Sequence, residues 1–159
     1  MLGRHPRRTL LRAGVLAAVT WLIVSFWMRP CRVSGTSMEP TFRDGGMNVI
    51  DLRRYRDTPP RRDDLVAARM HSLDNKRFYF KRVIGLPGET VGFTDGMRMV
   101  DGKPLPESYL ADRGTWNVKP ITLGPDEYFI IGDNRSVPWE QHMGGAIERR
   151  HIIGGILFP

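Results

Sequence analysis

A chain of 159 residues that is 41% apolar and 26% charged has the length for one domain and the composition of a folded one, which excludes wholesale disorder. Its net charge of +7 is lopsided: residues 1–32 carry six Arg and no acid, while the rest carries 18 Lys and Arg against 17 Asp and Glu. Beyond residue 32 the balance is nearly neutral, so a distributed cationic footprint is lacking and no nucleic-acid partner is expected.

Residues 1–12 form a basic N-terminus with Arg4, Arg7, Arg8 and Arg12. From Ala13 to Met28 sixteen residues, AGVLAAVTWLIVSFWM, pass without a charge. That length lies near the lower limit for a bilayer-spanning helix, for which ~20 residues are typical, and Leu10 and Leu11 extend it past a snorkelling Arg12. The alternative is a buried helix of a soluble domain, against which uniform hydrophobicity without a polar face argues. The run ends Phe26-Trp27-Met28-Arg29-Pro30, without the small residues of a signal-peptide cleavage site. Residues 13–28 therefore read as an uncleaved transmembrane anchor. Four Arg precede the run and two, Arg29 and Arg32, follow it. This bias predicts a cytoplasmic N-terminus, with residues 33–159 on the outer face of the inner or plasma membrane. Cys31 is the sole cysteine, so an intrachain disulfide and a Cys-rich metal site are both excluded. His5, His71, His142 and His151 include no i, i+4 pair, and neither metal nor cofactor is expected.

Beyond Pro30 short apolar runs alternate with Gly, Pro and Asp. Seven runs read as strands: Met47–Leu52, Leu65–His71, Arg77–Ile84, Thr90–Phe93, Met97–Val100, Glu127–Ile131 and Ile152–Phe158. No long 3.6-residue stripe interrupts them, so residues 33–159 are expected to be a small, mainly β domain. Turns are expected at Asp44-Gly45-Gly46, Leu86-Pro87-Gly88 and Asp101-Gly102, and a hairpin connection at Thr94-Asp95-Gly96-Met97. Arg53–Arg62, with five Arg and Pro59-Pro60, reads as a solvated loop, binding of anionic lipid headgroups being the alternative.

The chemistry-bearing residues are few. Ser34-Gly35-Thr36-Ser37-Met38-Glu39-Pro40-Thr41-Phe42 holds several hydroxyls, but such a cluster is by itself a turn. What would activate a hydroxyl is a base. The chain spends twenty Arg but only four Lys, and Lys76, Lys103 and Lys119 sit among polar or Pro neighbours. Lys81 alone interrupts an apolar strand, Phe78-Tyr79-Phe80-Lys81-Arg82-Val83-Ile84, with Arg82 turned to the opposite face. Burial among aromatics would lower the pKa of its amine, and an amine, unlike a guanidinium, can lose its proton near neutral pH. The competing reading is a Lys81 that faces solvent or pairs with an acid. Gly132-Asp133-Asn134-Arg135-Ser136 follows the apolar Tyr128–Ile131 as a polar turn of low specificity. Gly-x-Ser-x-Gly is absent, so a hydrolase elbow is unsupported.

Taken together and in order, SGTSMEPTF (Ser34–Phe42), KRVIGLPGE (Lys81–Glu89) and GDNR (Gly132–Arg135) resemble the sequence boxes of the bacterial type I signal peptidases. These are membrane-anchored Ser–Lys proteases, and the mitochondrial inner-membrane peptidases are close relatives. Arg62-Asp63-Asp64-Leu65-Val66 and the tail His142–Leu157 extend the likeness to nearly the whole chain. The resemblance implies Ser37 as nucleophile and Lys81 as general base. It implies Gly35, Thr36, Gly132, Asp133, Asn134 and Ser136 as oxyanion-hole or supporting positions. Val33, Met38, Phe42, Tyr79 and Phe80 would line pockets for small residues. It further implies a β-barrel-like catalytic domain, an acyl-enzyme route, preprotein substrates cut after small-x-small motifs, and a monomer working at the bilayer.

Three departures stand out. Some relatives carry a hydroxyl where this chain has Gly35, leaving the Ser37 amide as the evident oxyanion donor. The serine thought to orient the lysine aligns with Pro138, which leaves Ser136 as a substitute. The usual Asp–Arg ion pair aligns with Glu140 and His142, a pair that would weaken above the His pKa. The stretch between Gly88 and Gly132 is 43 residues, so any second β subdomain must be small. The rivals are a maturase of the same chemistry dedicated to one pilin or secreted protein, a self-cleaving repressor domain and a non-catalytic anchored β domain. The apolar anchor leaves no room for the repressor's DNA-binding region.

Overall fold

The structure, a computed structural model, describes residues 6–69 and 78–158. Arg4, His5, His71 and Lys76 lie outside the described residues, as do the end of one expected strand and the start of the next.

Helix α1 spans Pro6–Trp27. Proline suits a first helical position, where its missing N–H has no intrahelical partner to lose. The 22 residues reach ~33 Å at ~1.5 Å each, enough for a hydrocarbon core of ~30 Å. None of its apolar window is buried against protein. The helix starts ahead of the uncharged run, taking in Arg7, Arg8 and Arg12, and stops one residue short of Met28.

Among the described residues eleven strands follow: β1 (Met28–Arg32), β2 (Met47–Asp51), β3 (Leu65–Ala68), β4 (Tyr79–Gly85), β5 (Thr90–Thr94), β6 (Met97–Val100), β7 (Lys103–Pro104), β8 (Val118–Thr122), β9 (Glu127–Ile131), β10 (Gly145–Glu148) and β11 (Ile152–Ile156). All seven expected strands are present; Met97–Val100 and Glu127–Ile131 keep the expected bounds, and the others differ at their ends by one to three residues. The large sheet runs β1-β2-β11-β3-β4-β9-β10, and a smaller one runs β7-β6-β5-β8, antiparallel throughout. The large sheet is open: β1 and β10 are its two ends, so the expected barrel-like domain does not close. Pro30 has no amide to donate, which suits β1 to an edge with one neighbour. The small sheet falls between Gly88 and Gly132, the stretch that left room only for a minor subdomain.

Alternation builds the interior. In β9, Tyr128 and Ile130 join one apolar cluster with Val66 and Val83, while Phe129 and Ile131 join another with Ile84, Val91, Phe93 and Trp116. A third cluster of Val33, Met38, Phe42, Ile50, Ala67 and Ile156 lies beneath the Ser34–Phe42 turn. The β5–β6 hairpin turns on Asp95 (φ 47°) and Gly96 (φ 74°), the paired positive φ of a type I′ turn. Asp101 (φ 50°) and Gly102 (φ 74°) repeat it between β6 and β7.

These two turns differ in what surrounds them. A Cβ on Gly96 would run into the Gly114 carbonyl, whereas one on Gly102 meets nothing within 4 Å. Gly102→Ala is therefore expected to cost about 1 kcal/mol, for left-handed backbone alone, and Gly96→Ala at least about 3. Urea unfolding of both variants measures the gap, and equal losses would contradict this packing.

Candidate active site

The site starts with a lysine where strand alternation forbids it a way out. β4 pairs with β3 on one side and β9 on the other, and Lys81 lies within it at 1% exposure. Its Nζ lies 3.0 Å from Ser37 Oγ. Burial lowers the Lys81 pKa to about 8, the Asp133 carboxylate acting in the opposite direction. The amine thus loses its proton near neutral pH while touching a hydroxyl.

Arg82, the next residue, goes elsewhere. Its Nε and Nη2 donate to the two Asp133 carboxylate oxygens at 2.9 and 2.7 Å, and its guanidinium lies 3.8 Å from the Tyr109 ring centroid. Thr41 Oγ1 donates to Asp133 at 2.5 Å. The pair is buried, and its two parallel bonds satisfy the geometry that buried charges require.

The Gly132–Arg135 turn holds Ser37 by its backbone. A Cβ on Gly132 would collide with the Ser37 carbonyl oxygen, so only glycine allows this approach. Asn134 N donates to that same oxygen at 3.1 Å, and Asn134 Nδ2 donates to the Thr36 carbonyl at 3.1 Å. Arg135 anchors the turn from below, donating to the Gly132 carbonyl and to both carboxylate oxygens of Glu107. Gly35 sits at φ 95° with its amide bound to Asp44 Oδ1 at 2.8 Å. Its N–H is therefore engaged. Among the described residues nothing occupies the Ser37 amide. Thr36 is exposed and contributes its carbonyl.

Two expectations need correction. Ser136 does not orient Lys81: its hydroxyl donates to Asn134 Oδ1 at 2.5 Å, so it supports the turn at one remove. Nor do Glu140 and His142 form an ion pair. Glu140 is exposed, whereas His142 is buried, and its Nε2 lies 2.8 Å from the Asn134 carbonyl. A carbonyl only accepts, so Nε2 carries the proton. Burial lowers the His142 pKa to about 4, leaving the ring neutral, and among the described residues Nδ1 is buried without a partner. Trp116 packs edge-on against it at 4.8 Å.

Beside Ser37 opens a cleft of about 420 Å³. Val33, Met38, Tyr79 and Phe80 line it as expected. Phe42 does not; it stands behind, edge-on to Phe80 at 5.5 Å. Cys31, Arg32, Ser34 and Phe78 also line the cleft and were missed by sequence reasoning. Arg82 and Glu107 were missed as members of the site, since nothing local marks partners that lie far apart in the chain; His142 was expected there with the wrong partner. Among the described residues no three His, Cys, Asp or Glu gather in a metal-binding group.

The sequence pattern of the family described as signal peptidase, peptidase S26, matches residues 7–159. The chain belongs to that family. It is 32% identical over 128 residues to signal peptidase I of Leptolyngbya laminosa, covering 77% of this chain and 63% of that protein. It is 31% identical over 165 residues to signal peptidase I of Bacillus licheniformis, covering 94% and 87%. A probable signal peptidase I of a Synechocystis species is 30% identical over 151 residues, covering 91% and 77%. The crystal structure of a signal peptidase I from Enterococcus faecalis superposes with a TM-score of 0.51 at 28% identity, over 63% of this chain and 98% of that one. The family is one of serine peptidases, and the chain's apolar N-terminal helix suits a membrane anchor.

His142 sets up a pH-dependent stability. Its pKa is about 4 when folded and 6.5 when free, so between these values the unfolded chain holds the extra proton. Stability should therefore fall as pH drops from 6.5 towards 4. His142→Gln keeps a donor for the Asn134 carbonyl and should flatten that part of the curve. Urea unfolding over a pH series tests it; parallel curves for the two proteins would refute the assignment.

Proposed function

We propose that the protein is a membrane-bound signal peptidase I, cutting preproteins by a Ser37–Lys81 acyl-enzyme mechanism. The observation that carries this is the 3.0 Å approach of a buried lysine amine, its pKa lowered to about 8, to the hydroxyl of Ser37. Neutral Lys81 takes the Ser37 proton as Oγ bonds to the scissile carbonyl carbon, then hands that proton to the departing amine as the C–N bond breaks. A water, deprotonated in turn by Lys81, attacks the acyl carbon; the C–Oγ bond breaks and Ser37 Oγ takes that proton back from Lys81. The Ser37 amide is the oxyanion donor, and Asn134 Nδ2 holds that peptide by donating to its carbonyl, Thr36 O.

The substrate would lie extended in the cleft, where Val33, Met38, Tyr79 and Phe80 leave room for small side chains ahead of the cut. Residues 1–12 would be cytoplasmic, 13–28 the anchor, and 33–159 the outer-face domain. Every residue invoked comes from one chain, which suits a monomer. The Gly132–Asn134 clamp on Ser37 favours an active enzyme over a non-catalytic anchored domain.

Ser37→Ala should abolish cleavage of an Ala-x-Ala preprotein without loss of fold. Lys81→Arg should be as inactive as Lys81→Ala, because a guanidinium keeps its proton at any working pH. Activity of the native chain should rise with pH through about 8, the neutral amine being the active form. Substantial turnover by Lys81→Arg would reject the mechanism.

Orientation has its own test. Protease added outside intact spheroplasts should digest residues 33–159. Protection until lysis would reverse the topology and remove the secretory role.

A further inference from the structure

The place where α1 meets the domain carries arginines that neither catalysis nor the fold accounts for. Arg53 lies with its guanidinium 4.2 Å from the ring centroid of Trp27, the last residue of the helix. The contact is built: Leu52 N donates to the Trp27 carbonyl at 2.9 Å, fixing the start of the Arg-rich loop against the helix end. Two residues on, Arg29 lies 5.3 Å from the Phe78 ring, and Arg69 approaches the same ring at 5.4 Å. Both Arg29 and Arg53 are exposed, and among the described residues neither has a carboxylate within 4.0 Å. The neighbouring acid, Asp51, spends an oxygen on the Arg53 backbone amide at 2.8 Å.

An arginine lying on an aromatic face keeps its outer N–H groups free for a planar, two-oxygen acceptor. Trp27 ends a helix of spanning length, so its ring belongs at the level of the lipid headgroups. The acceptor at that level is phosphate. In zwitterionic lipids the phosphate is balanced by the cation of its own headgroup, whereas anionic lipids keep a net negative charge that basic residues beside a membrane helix attract.

We propose that Arg29 and Arg53, set on Phe78 and Trp27, form a binding site for the phosphate of an anionic phospholipid at the helix exit, with Arg69 as its third cation. The site rests on α1 spanning a bilayer and is independent of any turnover. It seats the domain on the membrane with the Phe78 side of the cleft facing the surface, since Phe78 both carries Arg29 and lines the cleft.

The test uses the full chain with Trp21→Phe, in nanodiscs of phosphatidylcholine containing one brominated lipid. Trp116 is buried and Trp139 half-buried within the domain, so Trp27 becomes the helix tryptophan that bromine reaches. At equal mole fraction, brominated phosphatidylglycerol should quench at least roughly twice as strongly as brominated phosphatidylcholine. Arg29→Gln with Arg53→Gln should erase the difference, and Lys at both positions should keep part of it. Lys103→Gln with Arg113→Gln removes the same charge from the small-sheet side and should leave it intact. Equal quenching in the native chain overturns the proposal. So does loss of contrast in the Lys103/Arg113 control, which would reveal general charge attraction. If quenching is equal and Arg29→Gln instead raises KM only for peptides with an acid ahead of the cut, the arginines serve the substrate and the lipid site is refuted.

Discussion

Everything at the candidate active site depends on keeping one amine out of water. Lys81 is 1% exposed, and a buried ammonium is costly unless paired. The cheaper answer for the protein is to lower the pKa, here to about 8. Central strands on both sides of β4 supply that burial, so the sheet is part of the chemistry as well as its support. A lysine on an edge strand would keep its hydration and its proton.

The nearby carboxylate could have undone this. Asp133 acts to raise the Lys81 pKa, and an unpartnered buried carboxylate would hold the ammonium form far more strongly. Arg82 takes both of its oxygens and Thr41 takes one of them again, so most of the negative charge is already answered. The ionic order extends further: Arg82 donates to the Asp63 carbonyl, Asp63 accepts from Arg98, and Glu107 joins Arg98 to Arg135 beneath the Gly132 turn. The chain links the two sheets through the turn that grips Ser37. Removing one member would leave its partner charged and buried, which is why such networks are kept whole.

The strands legible in the sequence were the ones that bury both faces or pair on both sides. The four that were missed, β1, β7, β8 and β10, are the four sheet ends. Their sequences, MRPCR, KP, VKPIT and GAIE, carry Pro, Gly and charges because an edge pairs once and buries little. The Asp-Gly turns were legible because positive φ at two successive residues has few chemical solutions. Ser37 and Lys81 stood out through family resemblance and, for Lys81, through the oddity of a lysine inside an apolar run. Arg82 was misjudged as a mere neighbour because its partner Asp133 lies 51 residues away. No local pattern records such a distance.

His142 illustrates how a departure from a family pattern can be absorbed. An ion pair with Glu140 would have required a charged imidazole in a pocket walled by Trp116 and overlooked by Lys81 and Arg135, both of which push its pKa down. Desolvation and two cations leave the neutral ring as the stable form. A neutral ring still has one N–H, and the Asn134 carbonyl takes it. The bond fixes the far side of the residue whose amide and side chain hold the carbonyls of Ser37 and Thr36. A single uncharged donor thus serves where the family resemblance implied a charged pair, and it adds no carboxylate near Lys81 to restore the proton that the base must lose.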